Sequence, residues 1–327
     1  MPAGQEDCLF LNVFLQRLPI ADTRQAQHSE STSTSTSTTR NPTMTTAGAK
    51  KKVLVWVHGG GFIAGGASDY PPGSFVTSQD VILVSVNYRL GVLGFLSTEN
   101  QAGPGNYGMW DQVMALRWVK ENIAAFGGDP DDVTISGESA GGSAVSFLSL
   151  SPWARGLFTK VYPMSGAATS VFAIALGAQD HAAEIGRSTG CLGKDLRAKL
   201  SLAQSEDLME CLRGLSLEEI TKLSPFTLER AQFVPRVDGD FLPLHPSKLL
   251  RDDLYLESIG FFNRTYLLSV TNSERAIMQG AVDSLELGIN SQEDVSEEDK
   301  AAQIKRLHDS TYGFYLGARV ALPCWPR

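Results

Sequence analysis

The chain has 327 residues, of which 43% are apolar, and this is enough to bury the core of one large α/β domain. Its formal net charge of −8 argues against nucleic acid as a partner, because phosphate backbones attract basic surfaces. The sequence shows neither an apolar stretch long enough to cross a bilayer nor, at its N-terminus, the basic and apolar regions of a signal peptide.

The first half of the chain contains three apolar runs and one amphipathic segment. Weak alternation over residues 9–15 predicts a strand, and the runs at 53–57 and 81–86 predict two buried strands. A Ser/Thr-rich stretch at about 28–48 cannot bury enough apolar surface to order itself, so we expect a disordered surface loop there. Apolar residues at helical spacing predict a helix over about 110–126.

The second half continues the same alternation. Residues 133–136, 160–165 and 266–270 are further strand candidates, and the region 171–260 is expected to be helical and irregular and to cap the site. Strands that alternate with helices predict a mostly parallel sheet with flanking helices. We therefore expect an α/β fold, with residues 1–327 forming one domain.

A short glycine-flanked motif carries the strongest functional signal. Gly137-Glu138-Ser139-Ala140-Gly141 follows the apolar run 133–136 and has the pattern G-x-S-x-G of a nucleophile elbow. In such an elbow a strand enters a strained turn and a helix leaves it, so the serine hydroxyl is exposed above helix N-terminal amides. Ser139 is thus predicted to be a nucleophile for acyl transfer, with the Ala140 amide as an oxyanion donor.

A second glycine motif follows the strand at 53–57. His58-Gly59-Gly60-Gly61-Phe62 is an H-G-G-G sequence at the position where hydrolases build an oxyanion hole. A phosphate-binding loop is the alternative, but neither the G-x-G-x-x-G spacing nor a following Lys-Ser/Thr is present.

Four blocks of sequence, two of which contain these motifs, give the chain a specific family resemblance. The blocks are Glu6 to Val13, His58 to Phe62, Asn87 to Gly91 with Gly94-Phe95, and Phe126 to Gly142. In this combination the chain resembles the type B carboxylesterase/cholinesterase family of α/β-hydrolases over about residues 5–275. The resemblance implies that the chain lacks part of the family's sheet at both ends.

The resemblance also implies roles for individual residues. Gly60, Gly61 and Ala140 would be the oxyanion donors, and Glu138 would line the substrate gorge and favour cationic groups. Arg89 and Asp129 would form a structural salt bridge.

The acid and the base of a catalytic triad should follow the serine in the order acid, then histidine. Glu274 follows the strand candidate 266–270 and is the best acid, with Asp283 and Glu286 as alternatives in poorer context. Only His308 follows the acid, but it lies on a charged helical segment without a Gly-His loop. We therefore expect that the triad histidine is absent from this chain and that the chain as given hydrolyses esters poorly or not at all.

Cysteines and a sequon bear on the cellular compartment. Cys191 and Cys211 resemble the family's small disulfide loop, whereas Cys8 and Cys324 are expected to lie far apart, each without its family partner. Asn263-Arg264-Thr265 is an N-glycosylation sequon that matters only in an exported protein. By resemblance we expect an extracellular or secretory-pathway protein.

The sequence thus predicts a serine carboxylesterase acting on a small-molecule ester through an acyl-enzyme. No metal-binding spacing such as C-x-x-C or H-E-x-x-H occurs, so we expect neither metal nor organic cofactor. The alternative is a non-catalytic adhesion protein of the neuroligin type, which shares the fold but usually lacks the nucleophile. The sequence does not determine an oligomeric state.

Overall fold

The computed structural model describes residues 7–17, 50–170, 172–194, 199–223, 233–270 and Ser296. The strands of this part are β1 (Leu11–Phe14), β2 (Lys51–Val57), β3 (Ile82–Val86), β4 (Gly128–Glu138), β5 (Lys160–Met164) and β6 (Thr265–Tyr266). The α-helices are α1 (Phe75–Gln79), α2 (Gly91–Phe95), α3 (Tyr107–Asn122), α4 (Ala140–Leu150), α5 (Ala178–Thr189), α6 (Leu202–Arg213), α7 (Leu217–Lys222), α8 (Pro246–Leu249) and α9 (Asp253–Ser258). The predicted Ser/Thr loop lies outside the described residues.

The six strands form one mostly parallel sheet in the order β1-β3-β2-β4-β5-β6. β1 pairs antiparallel with β3, and all other neighbours are parallel. The central strands are rich in buried β-branched residues, as is typical of parallel strands covered on both faces. The architecture confirms the predicted α/β-hydrolase class.

α3 begins earlier than the predicted helix because of a contact from far along the chain. Asn106 precedes the first turn with a left-handed backbone (φ 59°), and its side chain exchanges two hydrogen bonds of 2.9 Å with the backbone of Arg236. The helix then runs into a 3-10 turn over Ile123–Phe126, which matches the predicted end. The start of α3 is therefore fixed by tertiary structure rather than by a local cap.

The region from 171 to 260 contains five short helices in its described part, as the sequence indicated. A disulfide between Cys191 and Cys211, with Cα atoms 5.7 Å apart, joins the segment after α5 to α6. The disulfide predicted from the family resemblance is thus present. Cys8 is a free thiol, and Cys324 lies outside the described residues.

The last strand is shorter than the predicted run 266–270. β6 has two residues, but backbone hydrogen bonds continue its pairing with β5 as far as Ser269. The Leu267 amide donates to the carbonyl of Val161 at 3.0 Å, and the Ser269 carbonyl accepts from the amide of Ser165 at 2.8 Å. Leu267, Leu268 and Val270 are exposed, so this apolar run is not buried as a central strand would be.

The expected salt bridge between Arg89 and Asp129 is wrong. Arg89 binds the buried carboxylate of Asp111 at 2.7 Å, whereas Asp129 lies 3.8 Å from Lys50. Arg89 follows the carboxyl end of β3, and Asp129 lies at the start of β4. Because these strands run in the same direction, those two positions are at opposite edges of the sheet.

Candidate active site

Ser139 occupies a sharp, strained turn between β4 and α4. Its backbone has φ 56° and ψ −120°, a conformation that residues with a Cβ rarely adopt. The amide of Ser139 donates to the carbonyl of Met164 at 2.9 Å, and the amide of Ser143 donates to the carbonyl of Ser139 at 2.9 Å. Hydrogen bonds on both sides of the residue therefore hold the strained conformation in place.

Two glycines allow the chain to pack this closely around the serine. A Cβ on Gly141 would lie 2.1 Å from the carbonyl oxygen of Val57. A Cβ on Gly166, which follows β5, would lie 2.0 Å from the carbonyl oxygen of Ser139. Gly141 belongs to the motif found in the sequence. No local pattern marked Gly166, because the need for glycine at that position comes from Ser139, which lies 27 positions earlier in the chain.

The H-G-G-G loop lies beside the elbow because of the strand register. Val57, the last residue of β2, pairs with Gly137 of β4, so the residues that follow both strands emerge at the same edge of the sheet. A Cβ on Gly59 would come within 3.3 Å of the Cβ of Ser139. The structure therefore brings together the two glycine motifs that the sequence singled out.

The carbonyls of this loop determine where its amides point. The Gly59 carbonyl faces His58 Nδ1 at 2.8 Å, and the Gly60 carbonyl accepts from the amides of Ile63 and Ala64 at 3.1 and 3.0 Å. In a trans peptide the N–H lies opposite the C=O, so the amides of Gly60 and Gly61 point away from these partners. Within the described part of the chain, neither of these amides nor that of Ala140 donates to a protein acceptor.

His58 is buried beneath the loop rather than exposed at the site. Its ring stacks on Tyr88 with centroids 4.5 Å apart, and the Tyr88 hydroxyl donates to the His58 carbonyl at 2.9 Å. Burial lowers the pKa of His58 below its ordinary value of 6.5, although the bond to Gly59 and the charge of Asp69 oppose this shift. The imidazole is therefore neutral at neutral pH.

An acidic and an aromatic side chain flank the loop on its exposed side. Glu138 is exposed, and its Oε2 would lie 3.0 Å from a Cβ on Gly59. The Tyr70 ring packs on Trp56 with centroids 5.1 Å apart, and its pKa is raised by burial and by the charge of Glu138. The surroundings of Ser139 thus carry negative charge next to an aromatic surface.

The structure does not describe the predicted acid and base of the triad. Glu274, Asp283, Glu286 and His308 all lie outside the described residues. Among the other histidines, His181 lies on α5 and His245 precedes α8. In the described residues there is neither a group of three potential metal ligands nor a helix long and apolar enough to span a membrane.

Comparison with known proteins gives two kinds of relative. Mouse neuroligin-3 is 33% identical over 315 residues, which cover 95% of this chain and 35% of that protein. Human cocaine esterase is 39% identical over 247 residues, and mouse pyrethroid hydrolase Ces2a is 37% identical over 246 residues. Each of these two alignments covers 75% of this chain and 37% of the relative, so the chain spans little more than a third of its relatives' length.

The family comparison covers nearly the whole chain. The profile described as the carboxylesterase family matches residues 1–314, which include the elbow, the H-G-G-G loop and every strand of the sheet. The chain belongs to the carboxylesterase family.

Proposed function

We propose that the chain carries an acyl-transfer site for carboxylic esters, with Ser139 as the nucleophile. Its hydroxyl would attack the ester carbonyl carbon, and the resulting oxyanion would accept hydrogen bonds from Gly60, Gly61 and Ala140. The alcohol would leave, and water would cleave the acyl-enzyme. The observation that carries this proposal is a serine held in a strained turn (φ 56°) beside three amides that donate to no protein group in the described structure.

The acid and base assignments rest on the sequence alone. We propose Glu274 as the acid that orients the base, since it follows β6 in chain order as the motif requires. No base is assigned, and His308 is the one histidine that follows Glu274 in the sequence. Without a base the serine is a neutral alcohol, so we expect slow turnover of the 327-residue chain.

The surroundings of the site point to its substrate and compartment. We propose a small-molecule ester as the substrate, with the Glu138 carboxylate beside its path to Ser139. The disulfide between Cys191 and Cys211 supports folding in the secretory pathway or outside the cell, because cytosolic thiols are kept reduced.

A non-catalytic adhesion protein of the neuroligin type is the second candidate. The observation in its favour is coverage, because the neuroligin-3 alignment extends over 95% of the chain and the esterase alignments over 75%. The serine at the elbow favours the esterase, since an adhesion protein needs no nucleophile.

The test is Ser139-dependent turnover of p-nitrophenyl butyrate by residues 1–327, measured with and without added imidazole as an exogenous base. Ser139→Ala is the decisive variant. Ser146→Ala on the same helix is the matched control, because it makes the same chemical change at a half-buried position away from the elbow.

We expect the unsubstituted chain to turn over the ester faster than Ser139→Ala does, and we expect imidazole to increase this difference. Ser146→Ala should keep the rate of the unsubstituted chain. Fast turnover without imidazole that disappears in Ser139→Ala also supports the esterase, and it shows in addition that the chain contains a base. Rates equal to those of Ser139→Ala under both conditions would overturn the proposal and favour the adhesion protein.

A further inference from the structure

We propose that His58 is a positioning residue that aims the Gly60 amide at the developing oxyanion. This inference rests on the acyl-transfer function proposed above. The side chain would not touch substrate, but would act through the peptide group that joins Gly59 to Gly60.

The hydrogen bond between His58 and Gly59 has one possible direction. Nδ1 lies 2.8 Å from the Gly59 carbonyl oxygen. A carbonyl oxygen only accepts, so the hydrogen belongs to Nδ1. Because burial keeps the ring neutral, this is its one N–H, and the tautomer is fixed by the contact.

The planar peptide group between Gly59 and Gly60 passes this restraint to the Gly60 amide. The C=O of Gly59 and the N–H of Gly60 belong to one planar trans unit and point in opposite directions. A bond that fixes the carbonyl toward His58 therefore fixes the Gly60 amide away from it. Gly59 itself packs against Ser139, since a Cβ on it would approach the serine Cβ to 3.3 Å.

The His58 ring cannot easily turn away from the Gly59 carbonyl. Its ring stacks on Tyr88 with an angle of 22° between the planes, and the two residues are 1% and 2% exposed. On another side, a Cβ on Gly65 would lie 2.8 Å from Nδ1, so the backbone closes around the donor. A buried N–H in such a tight site has one partner and one orientation.

The neighbouring amide provides an internal comparison. The Gly60 carbonyl is held by the backbone amides of Ile63 and Ala64, so the orientation of the Gly61 amide depends on no side chain. Gly60 has φ 102°, and glycine can adopt many other backbone conformations. The peptide group that joins Gly59 to Gly60 therefore needs a contact to hold its orientation. Changing His58 should therefore disturb one oxyanion donor and leave the other in place.

Three variants separate positioning from simple packing. His58→Phe keeps a ring on Tyr88 but removes the donor, and His58→Asn offers an amide N–H close to the position of Nδ1. His181→Phe on α5 makes the same exchange outside the site. Each is assayed in residues 1–327 with an oxoester and the matching thionoester, in imidazole, after subtraction of the Ser139→Ala rate.

For the oxoester we expect kcat to fall about 100-fold in His58→Phe with little change in KM, the loss typical of one oxyanion donor. The thionoester rate should fall much less, because the negatively charged sulfur of its tetrahedral intermediate accepts hydrogen bonds from these amides poorly even in the unsubstituted chain. His58→Asn should recover most of the rate, and His181→Phe should lose none. An equal loss for both esters, no rescue by asparagine, or no loss in His58→Phe would overturn the proposal.

An activity-independent measurement keeps this inference separate from the proposed function. In ¹⁵N-glycine-labelled protein, His58→Phe should shift the amide resonance of Gly60 but not that of Gly61, and His58→Asn should restore it. If the wild-type chain shows no Ser139-dependent turnover but these shifts occur, the esterase proposal fails and the positioning of Gly60 stands. An unchanged Gly60 resonance in His58→Phe would overturn the positioning role itself.

Discussion

Replacing Asp111 with asparagine should destabilise the fold far more than the same change at Asp129. The Asp111 side chain is 4% exposed and accepts from the Arg89 backbone amide at 2.9 Å, from Nε at 2.8 Å and from Nη2 at 2.7 Å. Asparagine removes the charge and turns an N–H toward a guanidinium that can only donate.

Breaking one side of a buried ion pair costs about 3–5 kcal/mol, and since Arg89 is 39% exposed we expect the lower end, about 3 kcal/mol. Asp129 is 32% exposed and lies 3.8 Å from Lys50, so Asp129→Asn should cost at most about 1 kcal/mol.

Equilibrium unfolding in urea, monitored by tryptophan fluorescence and by circular dichroism, gives the free energy of unfolding of both variants. Coincident transitions by the two probes show that one free energy describes the unfolding. Similar losses for Asp111→Asn and Asp129→Asn, or a larger loss at Asp129, would refute the assignment of Asp111 as the partner of Arg89.

Three further outcomes follow from the structure. Replacing Cys191 and Cys211 by serine should lower the free energy of unfolding by about 3 kcal/mol, and reductant should destabilise only the wild type. Asn263 is exposed at the end of a 3-10 turn, so the chain secreted from eukaryotic cells behind an added signal peptide should carry a glycosidase-sensitive mass that Asn263→Gln lacks. The pKa of His58 is lower in the folded chain than in the unfolded chain, so as pH falls the unfolded chain takes up this proton at a higher pH than the folded chain does. The free energy of unfolding should therefore decline as pH falls below 6.5, and it should decline less steeply in His58→Asn.

The parts of the fold that the sequence predicted are those with local signals. β2 ends in five consecutive apolar residues, four of the five residues of β3 are apolar, and β4 has Val133 and Ile135 at alternate positions before the elbow. The elbow itself is a five-residue motif with glycine at both ends. The parts it missed depend on distant partners. The binding of Asn106 to Arg236 joins positions 130 apart. Glycine is required at 166 because a Cβ there would lie 2.0 Å from the carbonyl oxygen of Ser139. Neither leaves a pattern in neighbouring residues.

The candidate site divides in the same way. The positions of Gly60, Gly61 and Ala140 were readable as motif residues, but the directions of their amides are set by hydrogen bonds of the neighbouring carbonyls. The predicted partner of Arg89 was wrong because the resemblance supplied a pair of residues but not their positions along the strands of the sheet. The register of Val57 with Gly137 decides which loops meet, and register is a property of paired strands.

The backbone at Ser139 offers a direct way to separate catalytic from structural demands. A residue with a Cβ at φ 56° and ψ −120° costs about 1–3 kcal/mol, whereas glycine adopts this conformation without steric strain. After the greater entropy of glycine in the unfolded chain is subtracted, Ser139→Gly should be about 1 kcal/mol more stable than Ser139→Ala, which keeps the strain. Both variants should lose Ser139-dependent turnover. Equal free energies of unfolding for Ser139→Gly and Ser139→Ala would mean that the turn is not strained. The backbone conformation at Ser139 would then give no support to a catalytic role for the serine.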